Sequence, residues 1–298
     1  MLSGIPIPKD AVRPSETVLV NITPQETRVA VLEENNICEL HIERNSGHSL
    51  VGNIYLGVVK RVLPGMQSAF IDIGLERAAF LHIVDVLEQR RNPDETQRIE
   101  HMLFEGQSVL VQVIKDPINT KGARLSTQIS LAGRFLVHLP QEDHIGISQR
   151  IEDDAERNSL RERLNNLLPE NACHGYIIRT NAENASDDQL QSDINYLTKV
   201  WEHIQKQAKI QPPETLLYQD LPLSLRVLRD MFSLDTHKIL VDSTENHRRM
   251  TQFAEQYVQG ALGRIELFKG ERPLFETHNI EQEIARALQP RVNLNFGS

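Results

Sequence analysis

Three groups of residues in this sequence have side chains suited to chemistry. The first is Phe70 and Phe80, in the strings SAFIDIG and RAAFLHI. Successive side chains of an extended strand alternate between its two faces. Ala69, Ile71 and Ile73 then share one face, as do Ala79, Leu81 and Ile83, so Phe70 and Asp72, and Phe80 and His82, point away from their own cores. Exposed rings on a small β-structure suit single-stranded nucleic acid, in which each stacked base is worth about 1 to 3 kcal/mol. Lys115, Lys121 and Arg124, in and just after VQVIKDPINTKGAR, are cations for the backbone phosphates. A second reading stays open, in which both rings pack under the insertion at 88–105 or against a neighbouring domain. His82 and Asp72 read as structural.

The second group is Arg179 and Thr180, which end GYIIRT before the polar turn NAENAS. Within a regular strand they face opposite sides, so they share a ligand only where the pleat breaks, at the turn. A guanidinium offers a two-pronged fork to phosphate and a hydroxyl can complete the clamp. An arginine before a loop is also a common solvated surface charge. The third group is Asp242, at the end of KILVDS, with Glu245 just after it. Metal-assisted hydrolysis of a phosphodiester needs several carboxylates around the cation. Two acids are too few for a two-metal site, and the preferred reading of Asp242 is a cap for a helix starting near Asn246.

The elements that must position these groups differ along the chain. TVLVNIT, ETRVAVLE and ICELHIE read as strands, the last two joined at Glu34, Asn35 and Asn36 as a hairpin. From Ser49 to about Ser130, short strands broken by Gly and Pro predict a small closed barrel, with one polar stretch from Glu88 to Glu105. Helical spacing then appears over Glu152 to Leu168 and Asp188 to Ile210, the latter with Leu190, Ile194, Leu197, Trp201 and Ile204 on one face. Pro212 and Pro213 mark a boundary. Beyond them a helix near Leu221 to Phe232, the strand KILVDS, a helix from Asn246 to Gln259, the strand RIELF, a helix around Ile280 to Leu288 and an extended start at RVNLN alternate as an α/β layer. That layer needs an edge partner, which the opening hairpin can supply.

Composition sets limits around these groups. The chain has 298 residues, 40% of them hydrophobic and 24% charged, which is ordinary for a folded protein of more than one domain. The formal net charge of -9 speaks against a broadly basic nucleic-acid surface. It does not exclude local grip, since residues 51–130 hold as many basic as acidic side chains. The opening MLSGIPIPKDAVRPSE lacks the continuous apolar stretch of a secretory signal, and no later run is long enough to cross a bilayer. Cys38 and Cys173 form no C-x-x-C pair and read as buried, reduced thiols of a cytoplasmic protein.

The string VGNIYLGVVKRVLPGMQSAFIDIGLERAAFLH resembles the S1-like RNA-binding barrel of the ribonuclease E/G family, and NITPQETRVAVLE resembles that family's opening segment. The likeness continues to the last residue. It implies an α+β multidomain fold, in which an S1-like OB-fold β-barrel and a 5′-sensor subdomain are inserted into an RNase H-like α/β subdomain. The implied boundaries are 1–46 and 214–298 for the RNase H-like parts, 47–128 for the barrel and 129–213 for the sensor. On this resemblance Phe70, Phe80 and Lys121 match positions that grip RNA. Arg179 and Thr180 match the main ligands of a 5′-monophosphate, and Gly133 and Val137 match backbone contacts to the end nucleotide. One departure is GISQR, where Gln149 stands in place of the first of two arginines and only Arg150 remains. Glutamine can hydrogen-bond a phosphate but brings no charge, and the change favours the G branch of the family over the E branch.

The resemblance also implies what the chain does: Mg-dependent endonucleolytic cleavage of single-stranded RNA by the parent protein, favouring 5′-monophosphate ends, in rRNA maturation and RNA decay. The implied partners are such RNA, rRNA precursors and further copies of the full-length protein. The metal-binding aspartates belong to a following DNase-I-like subdomain, and the cysteines that share zinc between subunits come later still. The sequence reaches RVNLNFGS where that subdomain would begin. The expectation is therefore that catalytic and metal ligands lie beyond Ser298, and that this stretch binds RNA without cutting it. A non-catalytic RNA-binding module is the rival reading, and an anion-binding metabolic protein is a weaker third.

Overall fold

A computed structural model of the chain describes residues 16–44, 49–86, 98–119, 121–169, 175–183, 185–233 and 235–289. Cys173, most of the polar stretch before Glu105 and the extended start at RVNLN lie outside these residues. The described chain divides into two compact units, one built from residues before Ser49 and after Asp220, the other from Ser49 to Asp220.

The first unit opens with β1 (Glu16–Ile22), β2 (Glu26–Glu33) and β3 (Asn36–Arg44). Glu33 pairs with Asn36, so Glu34 and Asn35 alone make the turn, at φ of 50° and 68°. Two successive left-handed residues give a turn whose twist matches that of the flanking strands. Two later strands, β14 (Thr236–Val241) and β15 (Ile265–Leu267), complete a sheet in the order β15-β14-β1-β2-β3. β14 runs parallel to both β1 and β15, so the opening hairpin is indeed the partner that the α/β layer needs.

Both faces of this sheet are covered, which is why β1 carries the unbroken apolar run VLV. Val18, Val20, Val29, Val31, Ile239 and Val241 pack with Met250 and Ala254 of the helix Thr244–Tyr257. Leu19, Ala30, Leu32 and Leu240 pack on the other face with Phe275 and Ile280. The segment expected as a helix from Leu221 to Phe232 is α-helical only over Leu223–Arg226 and passes into a π turn over Val227–Met231. Cys38 corrects the expectation of a buried thiol: it is exposed on β3, which among the described residues is the edge strand of the sheet.

The second unit contains β4 (Ile54–Leu63), β5 (Ser68–Asp72), β6 (Ala79–His82), β7 (Ser108–Lys115) and β8 (Arg124–Ser126). They pair in the order β4-β5-β6-β8-β7, and β7 returns to β4 and closes the barrel. Counted within the barrel this is the order 1-2-3-5-4-1, that of an OB-type barrel. Val59, Ala69, Ile71, Leu81, Val111, Val113 and Leu125 fill its interior. At about 1.5 to 3 kcal/mol for each large apolar side chain buried, this interior dominates barrel stability.

A smaller sheet follows, made of β9 (Leu131–Ala132), β10 (Leu136–His138), β11 (Ile145–Ile147) and β12 (Tyr176–Ile178), in the order β11-β12-β10-β9. The helix Asp187–Ile210 belongs to the same unit. It starts with a capping box of Ser186 and Gln189 and buries Leu190, Ile194, Leu197, Val200 and Ile204. β13 (Thr215–Tyr218), just past Pro212 and Pro213, pairs with β4. Among the described residues no helix is long and apolar enough to cross a membrane.

Candidate nucleic-acid interface

β5 and β6 set Phe70 directly opposite Phe80. Their ring centroids are 6.2 Å apart at an interplanar angle of 65°, an edge-to-face pair. Ala69, Ile71, Ala79 and Leu81 on either side are fully buried, whereas Phe70 is 37% exposed and Phe80 is half-buried. The alternation expected of SAFIDIG and RAAFLHI is therefore present, and the two rings form one aromatic patch on the outer face of the barrel. Asp72 pairs with Lys60 at 3.2 Å. His82 accepts from the Val84 amide through Nδ1 at 3.3 Å, a structural task that ends β6.

The cations around the patch are not equivalent. Lys121 is exposed on the loop between β7 and β8, where its amide donates to the Ile118 carbonyl at 2.9 Å. That loop is held against the turn before β6. Arg77 donates to the Asn119 carbonyl at 2.6 Å, and a Cβ on Gly122 would meet the Ala78 carbonyl oxygen at 2.1 Å. Arg124 lies beside Phe80 in register, but its guanidinium already holds the buried Asp85 carboxylate at 2.8 and 2.9 Å. Lys115 is exposed across from Arg124.

The second cluster forms where two parallel strands end together. Ile147 of β11 pairs with Ile178 of β12, so residues 148–150 run on beside residues 179–180. The strand expected over GYIIRT stops at Ile178. Arg179 is still extended and Thr180 begins a 3-10 turn, so the pleat breaks between them. The hydroxyls of Ser148 and Thr180 are 3.3 Å apart, and Ser148 also accepts from the Arg150 amide at 3.3 Å. Gln149 and Arg150 are exposed. Arg179 is half-buried, and its guanidinium donates to the Gly133 carbonyl. A guanidinium has five N–H donors, so this contact fixes the fork without using it up. Val137 lies further along β10, between Ala132 and Ile177.

Asp193, which the sequence reading passed over, organises this cluster. Its carboxylate accepts from the amides of Arg134, Phe135 and Leu136 at 3.0, 2.8 and 2.8 Å. A Cβ on Gly133 would lie 2.4 Å from the same carboxylate, so only glycine fits there. The turn that carries the Gly133 carbonyl is thus locked by a buried acid on the helix Asp187–Ile210. A signal was present: Asp193 interrupts the apolar stripe that runs through Leu190, Ile194 and Leu197.

Residues 130–298 match the model of the Ribonuclease E/G family. The chain is 41% identical to ribonuclease G of Escherichia coli K12 over 287 residues, covering 94% of this chain and 58% of that protein. It is 40% identical to ribonuclease G of Haemophilus influenzae, with the same coverage, and 38% identical to ribonuclease E of a Nostoc species over 93% of this chain and 40% of that protein. The chain belongs to the ribonuclease E/G family. It spans somewhat more than half the length of the ribonuclease G relatives.

Asp242 and Glu245 are the acids that the sequence offers for a magnesium ion. Two acids are too few for a two-metal site, and Asp242 has structural partners. Its two carboxylate oxygens accept from Asn21 Nδ2 at 2.5 Å and from the Ile22 amide at 2.9 Å. Asn21 in turn accepts from Arg28 at 2.6 and 2.8 Å, and Arg28 pairs with Glu281 at 2.7 Å. Asp242 also does not cap the next helix, as the sequence led us to expect. That helix starts at Thr244 and Ser243 caps it, through a hydroxyl that accepts from the Asn246 amide at 3.3 Å. The acid instead ties the ends of β1 and β14. Among the described residues no three His, Cys, Asp or Glu side chains form a metal-binding group.

Proposed function

We propose that this chain is the RNA-holding and end-sensing part of an endoribonuclease that cleaves single-stranded RNA. Phe70 and Phe80 stack on successive bases, and Lys121 neutralises a phosphate beside them. The observation that carries this reading is the in-register, outward-facing Phe70–Phe80 pair on an OB-type barrel.

The second cluster binds a 5′-monophosphate. Arg179 and Thr180 supply the charge and the hydroxyl, Arg150 a further cation, and Gly133 and Val137 backbone contacts to the end nucleotide. The lock by Asp193 supports this, because a terminal phosphate is recognised by a guanidinium held in place before the ligand arrives. On this reading residues 47–128 form the S1-like domain, 129–213 the 5′-sensor, and 1–46 with 214–298 an RNase H-like subdomain that is structural.

Cleavage, in rRNA maturation and RNA decay in the cytoplasm, belongs to the parent protein as a homo-oligomer. Its Mg²⁺ ligands, and any zinc link between subunits, lie outside the described residues. The engagement of both Asp242 oxygens within the protein supports that placement. The test is incubation of the purified chain with a fluorogenic 5′-monophosphorylated RNA and Mg²⁺. Binding without cleavage is expected, and cleavage abolished by Asp242→Ala would overturn the division.

A further inference from the structure

We propose that Arg61 is a further RNA contact, meeting the phosphate backbone on the Phe70 side of the barrel face. This rests on the reading of Phe70 and Phe80 as stacking platforms and adds a cation that simple alternation assigns to the wrong side. Val59 is buried, so a regular strand would turn Lys60 outward and Arg61 back towards the core. The observed register is different. Val59 pairs with Ile71 and Arg61 pairs with Phe70, its immediate neighbour on β5, which leaves Lys60 as an extra residue. Such a β-bulge bends the strand and re-aims the side chain that follows it, often beside a functional site. Here it leaves Lys60 and Arg61 both exposed and returns Val62 to the barrel core.

Register then sets one row across the barrel: Arg61, Phe70, Phe80, Arg124 and Lys115. A second bulge, between Val113 and Lys115, places the far cation of the row. Neighbouring strands are about 4.8 Å apart, so Arg61 lies one strand from the Phe70 ring, well within the reach of its side chain. Nucleic acid on an OB barrel crosses this face, and a cation next to a stacking ring is where the phosphate of the stacked nucleotide falls. The other cations near Arg61 have structural partners. Lys60 pins the bulge by pairing with Asp72 at 3.2 Å and Glu214 at 2.9 Å, and Arg124 holds Asp85. Arg61 is exposed and makes no ion pair among the described residues.

The experiment is fluorescence anisotropy of a labelled, 5′-hydroxyl single-stranded RNA titrated with the whole chain over a range of salt concentrations. The 5′-hydroxyl keeps end sensing out of the readout. Arg61→Ala is expected to weaken binding about tenfold, the worth of one charge-assisted contact, and to flatten the log–log salt slope by about 0.7. Arg61→Lys should restore the slope, and Phe70→Ala should weaken binding with the slope kept. If Phe70→Ala weakens binding while Arg61→Ala changes neither affinity nor slope, the assignment of Arg61 is wrong and the stacking face stands. If Phe70→Ala has no effect, the reading beneath it fails as well. A lower melting temperature for Arg61→Ala with an unchanged slope would assign the residue to the stability of the bulge and also overturn the proposal.

Discussion

The barrel face and the strand-end cluster lie in the same unit, Ser49 to Asp220, yet they are built on opposite principles. The barrel face is a regular surface: two strands in register, alternating core and outer side chains, with Phe70 and Phe80 outward because Ala69, Ile71, Ala79 and Leu81 are inward. The strand-end cluster exists because regularity stops. Arg179 and Thr180 converge only where β12 gives way to a turn, and Arg179 is aimed by a carbonyl that Asp193 fixes from a distant helix. A regular face suits a repetitive ligand met at many positions along its length, and a broken strand end suits a single group met once. On the proposed function, the comparison predicts that binding and end sensing can be altered separately.

The largest separation should come from Asp193→Ala. It strands three amides, two of them buried, and a loss of roughly 2 to 4 kcal/mol in unfolding free energy is expected by denaturant titration. In the protein that remains folded, preference for a 5′-monophosphate should be lost while affinity for 5′-hydroxyl RNA persists. Loss of both in equal proportion would show that the two regions are not separable in this way.

Acid should act on the same side of the comparison. His138 of β10 is buried and stacked on Tyr176 with ring centroids 4.6 Å apart. Burial pushes its pKa down from 6.5 to about 4. Between those values the unfolded chain binds a proton that the folded chain does not, so the contribution is complete above pH 6.5 and is lost as pH falls towards 4. The loss is of the order of 3 kcal/mol at most. Melting curves of the native chain and of His138→Phe, which keeps a ring against Tyr176, should converge above pH 7 and separate below pH 6, with the variant less sensitive to acid. Parallel curves would contradict the assignment.

The smallest effect sharpens the cluster instead of breaking it. Gln149 is exposed beside Arg150 at the end of β11, so Gln149→Arg adds a positive charge near Thr180 without disturbing the core. A gain of about threefold to fivefold in preference for 5′-monophosphorylated over 5′-hydroxyl RNA is expected, as for one partly solvated ion pair. Competition binding with the two RNAs measures it.

How much was legible in the sequence follows the same division. Alternation placed Phe70 and Phe80 correctly because a strand pleat is local. The hairpin over β2 and β3 and the long helix to Ile210 were legible for the same reason, since turn chemistry and a 3.6-residue stripe are written in neighbouring residues. Alternation misplaces Arg61, because a bulge is a relation between two strands and leaves no mark in one of them. Asp242 read as a helix cap because Ser243 and Asp242 are both good caps, and only the packing of β1 against β14 gives the acid its other partners. Asp193 was visible as an acid in an apolar stripe, but the amides it serves are about sixty residues away in sequence. Residue type alone predicts a buried Cys38, and its place on an edge strand exposes it.

The most direct test of the account is a two-by-two binding measurement. Single-stranded RNA of one sequence, with either a 5′-monophosphate or a 5′-hydroxyl, is titrated with the native chain, with Phe70→Ala combined with Phe80→Ala, and with Arg179→Ala. The account predicts that the double phenylalanine variant loses about 100-fold in affinity for both RNAs alike, as two lost stacks require. It predicts that Arg179→Ala loses affinity only for the phosphorylated RNA. Equal losses for both RNAs with Arg179→Ala, or an undiminished affinity with the phenylalanines removed, would contradict it.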